Sequence, residues 1–262
     1  MSIESSSDPE KGKCKPANRR ATLAGSLLSF FGSILMILVL RWVVAEPYVI
    51  PSGSMIPSLL IHDHILVNKF AFGLRVPFTK QWIIKFSYPN RGDVVVFRSL
   101  EDESLYMIKR VIGLPGDLIR VDEKGQVVVN GIPLKSHALE KPQFGDHKTS
   151  FYSLTAEDIG GDLSGFEFFE ETLGDRTHLG MLISNSYRWS ESEVEVPAGH
   201  IFLMGDNRDN SRDSRIWGTL PFENLLGRAS FVWLSCTETL VTAPFVCDPA
   251  KIRWRRFFHI IQ

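Results

Sequence analysis

Cysteine is scarce: three residues in 262, too few for a disulfide scaffold and without the paired spacing of a zinc site. Charge excess is missing too. A net charge of -1 and a pI near 6.7 provide no global basic field for nucleic acid. There is no internal repeat and no long helical period beyond residue 44. Two familiar serine-enzyme layouts, Gly-x-Ser-x-Gly and Ser-x-x-Lys, are absent. One further absence is local: residues 21–40 contain no charged side chain.

That charge-free run has about the length needed to cross a bilayer core as a helix. A cleaved leader would have a shorter apolar region ending at a small-residue site, whereas this one runs straight into Arg41 and Trp42. An uncleaved anchor over 21–44 is therefore expected. Lys11, Lys13, Lys15, Arg19 and Arg20 precede it in an acid-free run. The positive-inside rule then places a basic tail, 1–20, in the cytoplasm and everything from about residue 45 outside. Trp42 and Tyr48 suit the outer interface.

The exported part reads as mostly β. Apolar runs at 65–70, 94–97, 106–112, 118–121, 126–129, 200–204 and 229–234 alternate with turn signals such as Arg91-Gly92-Asp93 and Asn130-Gly131. A short helix is expected near 155–159. Residues 134–197 are richer in Gly, Ser, Glu and His than their flanks and read as part of an inserted subdomain spanning 118–200. The remaining core is then 45–117 together with 201–262.

Three stretches carry chemistry. The first, 50–57, places Ser52 and Ser54 in a segment stiffened by Pro51 and Pro57 and freed at Gly53. A serine hydroxyl needs a base. His62-Asp63-His64 lies nearby, but two surface histidines on a strand is the plainer reading. The second stretch, 106–112, offers a different base. Strand alternation puts Met107, Lys109 and Val111 on one face, so the lysine has apolar neighbours. An unperturbed lysine is neutral at pH 7 about once in 2,500, a handicap of ~4.6 kcal/mol. Desolvation reduces that handicap. The third stretch, 205–215, is a loop dense in Asp, Asn, Ser and Arg. Its three arginines and the missing closing glutamate argue against calcium.

Together IPSGSMIPSLL at 50–60, RGDVVVF at 91–97, YMIKRVIGLPGD at 106–117 and GDNRDNSRDSRIWG at 205–218 resemble bacterial type I signal peptidase, the membrane-anchored Ser-Lys leader peptidase. The resemblance implies a signal-peptidase-like β fold with a second, β-rich subdomain inserted. Ser54 would be nucleophile and Lys109 general base. Ser211 would orient the lysine amine, and the Ser52 hydroxyl with the Ser54 N–H would form the oxyanion hole. Gly205 would leave room for the lysine chain. Asp213 with Arg215, and Asp206 with Arg110, would brace the site. Ile50, Pro51, Met55, Leu59 and Ile108 would wall pockets for small substrate side chains. His62 stands where the family usually has glycine, and some members have a second membrane span.

The resemblance implies preproteins and the bilayer as partners, export machinery only by proximity, no nucleic acid, and neither metal nor organic cofactor. The expected location is the cytoplasmic membrane, with the catalytic part outside. Two alternatives stay open: a Ser-Lys peptidase acting on itself or one partner, and a non-enzymatic peptide-binding β module. Cys236 and Cys247 could pair on the oxidising side or remain separate thiols. Cys14, on the cytoplasmic side, should stay reduced. The basic-aromatic tail from Lys251 onward reads as a lipid contact or a terminal packing strand.

Overall fold

The structure is a computed structural model that describes residues 19–43, 45–76, 79, 81–139, 154–186 and 193–261. The basic tail with Cys14 lies outside the described residues except for Arg19 and Arg20. So do 140–153 and 187–192 of the expected insertion. The charge-free run forms a single helix, α1 (Arg19–Val43), whose described side chains are those of 25–37; that of Trp42 falls outside them. Among the described residues no helix is long and apolar enough to cross a membrane.

From Val43 onward the chain forms one compact unit, and it is mostly β. β1 (Ala45–Val49) and β2 (Asp63–Asn68) are antiparallel and flank the loop carrying Ser54. β3 (Gly73–Arg75) and β4 (Trp82–Lys85) make a separate hairpin. β5 (Val94–Arg98) and β6 (Tyr106–Gly113) then pair, with Val95 opposite Lys109. Both faces of β5 are covered: Val94 and Val96 join the cluster around Met55 and Leu59, while Val95 and Phe97 join Val111, Leu203 and Leu220. A strand buried on both sides reads as an unbroken apolar run, as Val-Val-Val-Phe does.

Between β6 and its later neighbour lie two small sheets. One contains β7 (Leu118–Val121), β8 (Val127–Val129), β9 (Ile132–Pro133) and, further along the chain, β13 (Val194–Glu195). The β8–β9 turn is Asn130-Gly131, both left-handed (φ 53° and 77°), the geometry that favours this dipeptide. The other sheet is β10 (Lys135–Leu139), β11 (Phe166–Leu173) and β12 (Arg176–Ile183). The expected short helix is α2 (Ala156–Ile159), started by a reciprocal cap between Thr155 and Asp158.

β14 (His200–Met204) returns beside β6, and β15 (Leu220–Pro221) pairs with it after the one-turn α3 (Ser214–Trp217). β16 (Leu225–Ser235) lies between β2 and β5, giving the large sheet the order β1-β2-β16-β5-β6-β14-β15. β17 (Thr239–Leu240) and β18 (Ala243–Cys247) form a hairpin closed by the Cys236–Cys247 disulfide. β19 (His259–Ile260) packs on β16, so the tail does end in a pairing strand. Two of its arginines turn inward: Arg253 Nε lies 2.8 Å from Asp158, and Arg256 pairs with Asp63.

Candidate active site

The Ser54 loop is tied at both ends. Ile50 N donates to Asp63 O and His62 N to Ile50 O, both at 2.9 Å. Gly53–Met55 makes a single tight turn, and the buried Asp63 carboxylate accepts from Leu60 N at 2.8 Å. His62 sits at φ 65°, the left-handed region that favours glycine. That explains in physical terms why glycine suits this position. His64 departs from the surface reading: it is 5% exposed, Cys247 Sγ lies 3.8 Å from its Nδ1, and its Nε2 lies 2.9 Å from Phe245 O.

Lys109 Nζ lies 2.7 Å from Ser54 Oγ and donates to Ile108 O at 2.9 Å. The residue is 3% exposed. Burial pushes its amine down from the usual lysine value to about 8; the carboxylates of Asp213 and Asp206 oppose that shift, and Arg215 adds to it. The neighbours that alternation assigns to its face, Met107 and Val111, pack in the cluster around Phe97 and Leu203.

The 205–215 loop closes over this pair. Asn207 N donates to Ser54 O at 3.2 Å, and its side-chain amide donates to Gly53 O at 3.0 Å. A Cβ on Gly205 would fall 2.5 Å from Ser54 O and would also strike Ser211. The space this glycine keeps open is therefore filled by the serine loop and Ser211. Ser211 Oγ donates to Asp213 Oδ2 at 2.7 Å, and that carboxylate also accepts from Gly205 N. Among the described residues the lysine amine bonds to Ser54 and Ile108, and the Ser211 hydroxyl bonds to Asp213. Arg215 holds Asp213 at 2.8 Å through both Nε and Nη2. Arg110 grips Asp206 in the same bidentate way, at 2.8 and 2.7 Å.

The pair opens onto a cleft of about 480 Å³. Pro51, Ser52 and Ile108 line it, as do Tyr106, Arg212 and Ile216, which motif reasoning missed. Tyr106 was within reach, because strand alternation puts it on the same face of β6 as Ile108, which also lines the cleft. Ile50, Met55 and Leu59 are packed in the core behind the cleft rather than on its wall. His178 and Glu171 were also missed: both are buried beside Asp206 and the loop.

Among the described residues one group gathers three metal-ligating side chains: His64, Cys236 and Cys247. Its sulfurs are joined to each other, so neither presents a thiolate. What the cleft does present is a hydroxyl against an amine whose proton is loosely held. That combination permits nucleophilic attack with a lysine base.

A family model described as signal peptidase, peptidase S26, matches residues 23–234. Signal peptidase I of Pseudomonas aeruginosa is 37% identical, with the match covering 87% of this chain and 78% of that protein. Signal peptidase I of Haemophilus influenzae is 31% identical over 98% of this chain and 80% of that protein. Among solved structures, a signal peptidase I from Enterococcus faecalis is 22% identical over 55% of this chain and 98% of that chain, with a TM-score of 0.30. Matches of this extent make the chain a member of the signal peptidase I family, the S26 serine peptidases.

Proposed function

We propose that this enzyme removes N-terminal leaders from exported preproteins, with Ser54 as nucleophile and neutral Lys109 as general base. The observation that carries this reading is the 2.7 Å approach of a buried lysine amine to a serine hydroxyl. An amine near 8 is neutral about once in ten at pH 7, a handicap of ~1.4 kcal/mol against ~4.6 for an ordinary lysine.

The amine takes the hydroxyl proton as Ser54 Oγ attacks the scissile carbonyl carbon. The carbonyl oxygen becomes an oxyanion, which the Ser54 N–H and the Ser52 hydroxyl stabilise, each donor contributing on the order of 3 kcal/mol. The new ammonium protonates the leaving amine as the C–N bond breaks. Lysine, neutral again, then activates a water that hydrolyses the acyl-serine. Asp213, held by Arg215, keeps Ser211 and Gly205 in place beside the reacting pair.

α1 serves as the anchor in this reading. Its charge-free run and the preceding basic cluster support an N-terminus in the cytoplasm, with the cleft outside that membrane. The test uses full-length enzyme in detergent with a preprotein whose leader ends in Ala-x-Ala. Clean leader removal by wild type, lost in Ser54→Ala and in Lys109→Arg, is the expected result. Turnover by either variant overturns the assignment.

A further inference from the structure

The β11–β12 hairpin contacts four consecutive residues of the reacting loop, Asp206 to Asp209, with Met181 bridging to Asn207. Met181 N donates to Asp206 O at 2.9 Å, and Ile183 N donates to the Asp209 carboxylate at 2.8 Å. Between these anchor points, the Glu171 carboxylate takes both terminal nitrogens of Arg208, one of them at 3.3 Å. The Arg208 guanidinium also lies over the Phe169 ring, 5.0 Å from its centre. His178 Nε2 sits 3.5 Å from the Glu171 carboxylate and 3.7 Å from that of Asp206. Glu171 and Arg208 are 1% and 2% exposed.

Arg208 stands between the two ends of the loop that matter. On one side its neighbour Asn207 holds the Ser54 carbonyl and, by its side chain, the Gly53 carbonyl. On the other, its own carbonyl accepts from Arg215, the partner of Asp213. A buried ion pair is a poor way to gain stability over an apolar pair of similar volume. A planar, bidentate Arg–Glu contact does add geometric definition.

We propose that Glu171 and Arg208 are positioning residues for leader cleavage: by fixing the Arg208 guanidinium, the β11–β12 hairpin sets where Asn207 holds Ser54. This inference rests on the assignment of Ser54 and Lys109 given above. The β11–β12 hairpin thereby shapes the reacting centre through the loop.

Glu171→Gln keeps the side-chain shape and removes its charge. In the full-length enzyme kcat should fall roughly 10- to 100-fold, the effect of displacing reacting atoms by up to about 1 Å, with KM held within about twofold. The acid limb of the pH profile should move to higher pH, as a loosened loop admits water to the Lys109 amine, which faces Asp213, Asp206 and Arg215. A smaller folded fraction would scale the rate and leave that midpoint in place. Glu171→Asp should recover part of the rate. Glu167→Gln, exposed on the same strand, should change nothing.

Wild-type kcat and midpoint in folded Glu171→Gln would overturn the proposal, as would an equal loss in Glu167→Gln. If Glu171→Gln does not fold, Arg208→Lys keeps the charge and loses the fork; it should show the same kcat-only loss, and a wild-type rate would overturn the idea. Turnover in Ser54→Ala would instead overturn the assignment of the reacting pair.

Discussion

Lys109 and Arg110 are consecutive on β6, both cationic in type and both buried, at 3% and 0% exposure. Arg110 faces Asp206 and binds it through two nitrogens, so its charge is matched where it lies. Lys109 faces a hydroxyl and a carbonyl, and the nearest carboxylates act on it only from beyond hydrogen-bond range. A cation taken out of water keeps its charge when an anion meets it and tends to shed a proton when none does. One residue of strand register separates a structural cation from a basic amine.

The largest effect should come from making the two residues alike. Lys109→Arg places a permanently charged group against Ser54, and turnover should be lost entirely in a leader-cleavage assay. Measurable cleavage would remove the lysine from the base's role. Next in size is the converse change. Asp206→Asn leaves Arg110 buried without its anion and should cost about 3–5 kcal/mol, read as a lower unfolding temperature of the full chain. An unchanged melting temperature would mean that this ion pair contributes little.

The third test uses pH. The folded lysine has its pKa lowered to about 8, against 10.5 unfolded, so it destabilises the folded chain while it is charged. That penalty is fully present below pH 8 and fades as pH rises toward 10.5. Stability should therefore climb across this window. Lys109→Met should be more stable than wild type at pH 7, by at most about 3 kcal/mol, with the gap closing at high pH. In parallel, wild-type kcat/KM should rise with pH around a midpoint near 8. A profile flat across that midpoint would contradict the lysine base.

The smallest effect belongs to His62. His62→Gly relieves a left-handed histidine and forgoes its 3.2 Å contact with Thr237 O, so stability should move by less than about 1 kcal/mol. Turnover should be unchanged. A dead His62→Gly enzyme would return histidine to the search for a base.

Much of this arrangement was legible in the chain because local rules wrote it. β5, β6 and β14 announce themselves through Val, Ile and Leu in short runs, and the Asn130-Gly131 turn through its dipeptide. The stretches bearing Ser54, Lys109 and Ser211 could be picked out by their residue types. What stayed hidden depends on partners distant in sequence. β11 lacks clean alternation because Phe168 and Phe169 are both buried and Glu171 is buried as a carboxylate. Nothing near Glu171 reveals that its counter-ion is Arg208. The same holds for Arg253 and Arg256, which read as solvent-seeking or lipid-seeking cations until Asp158 and Asp63 meet them. Nor does the chain near Ser211 show that its hydroxyl donates to Asp213.

The place of β16 makes one sheet out of two separate strand pairs. This strand is the seam between the sheet piece that leads to Ser54, β1 and β2, and the piece that carries Lys109, β5 and β6. Without Leu225–Ser235 the backbone ladder between β2 and β5 would be missing, and the Asn207 contacts and the packing of Met55 and Leu59 on Val94, Val96 and Ile108 would be left to hold the two pieces together. The two side chains are thus held in common by a strand ladder on one side and by a loop and apolar packing on the other.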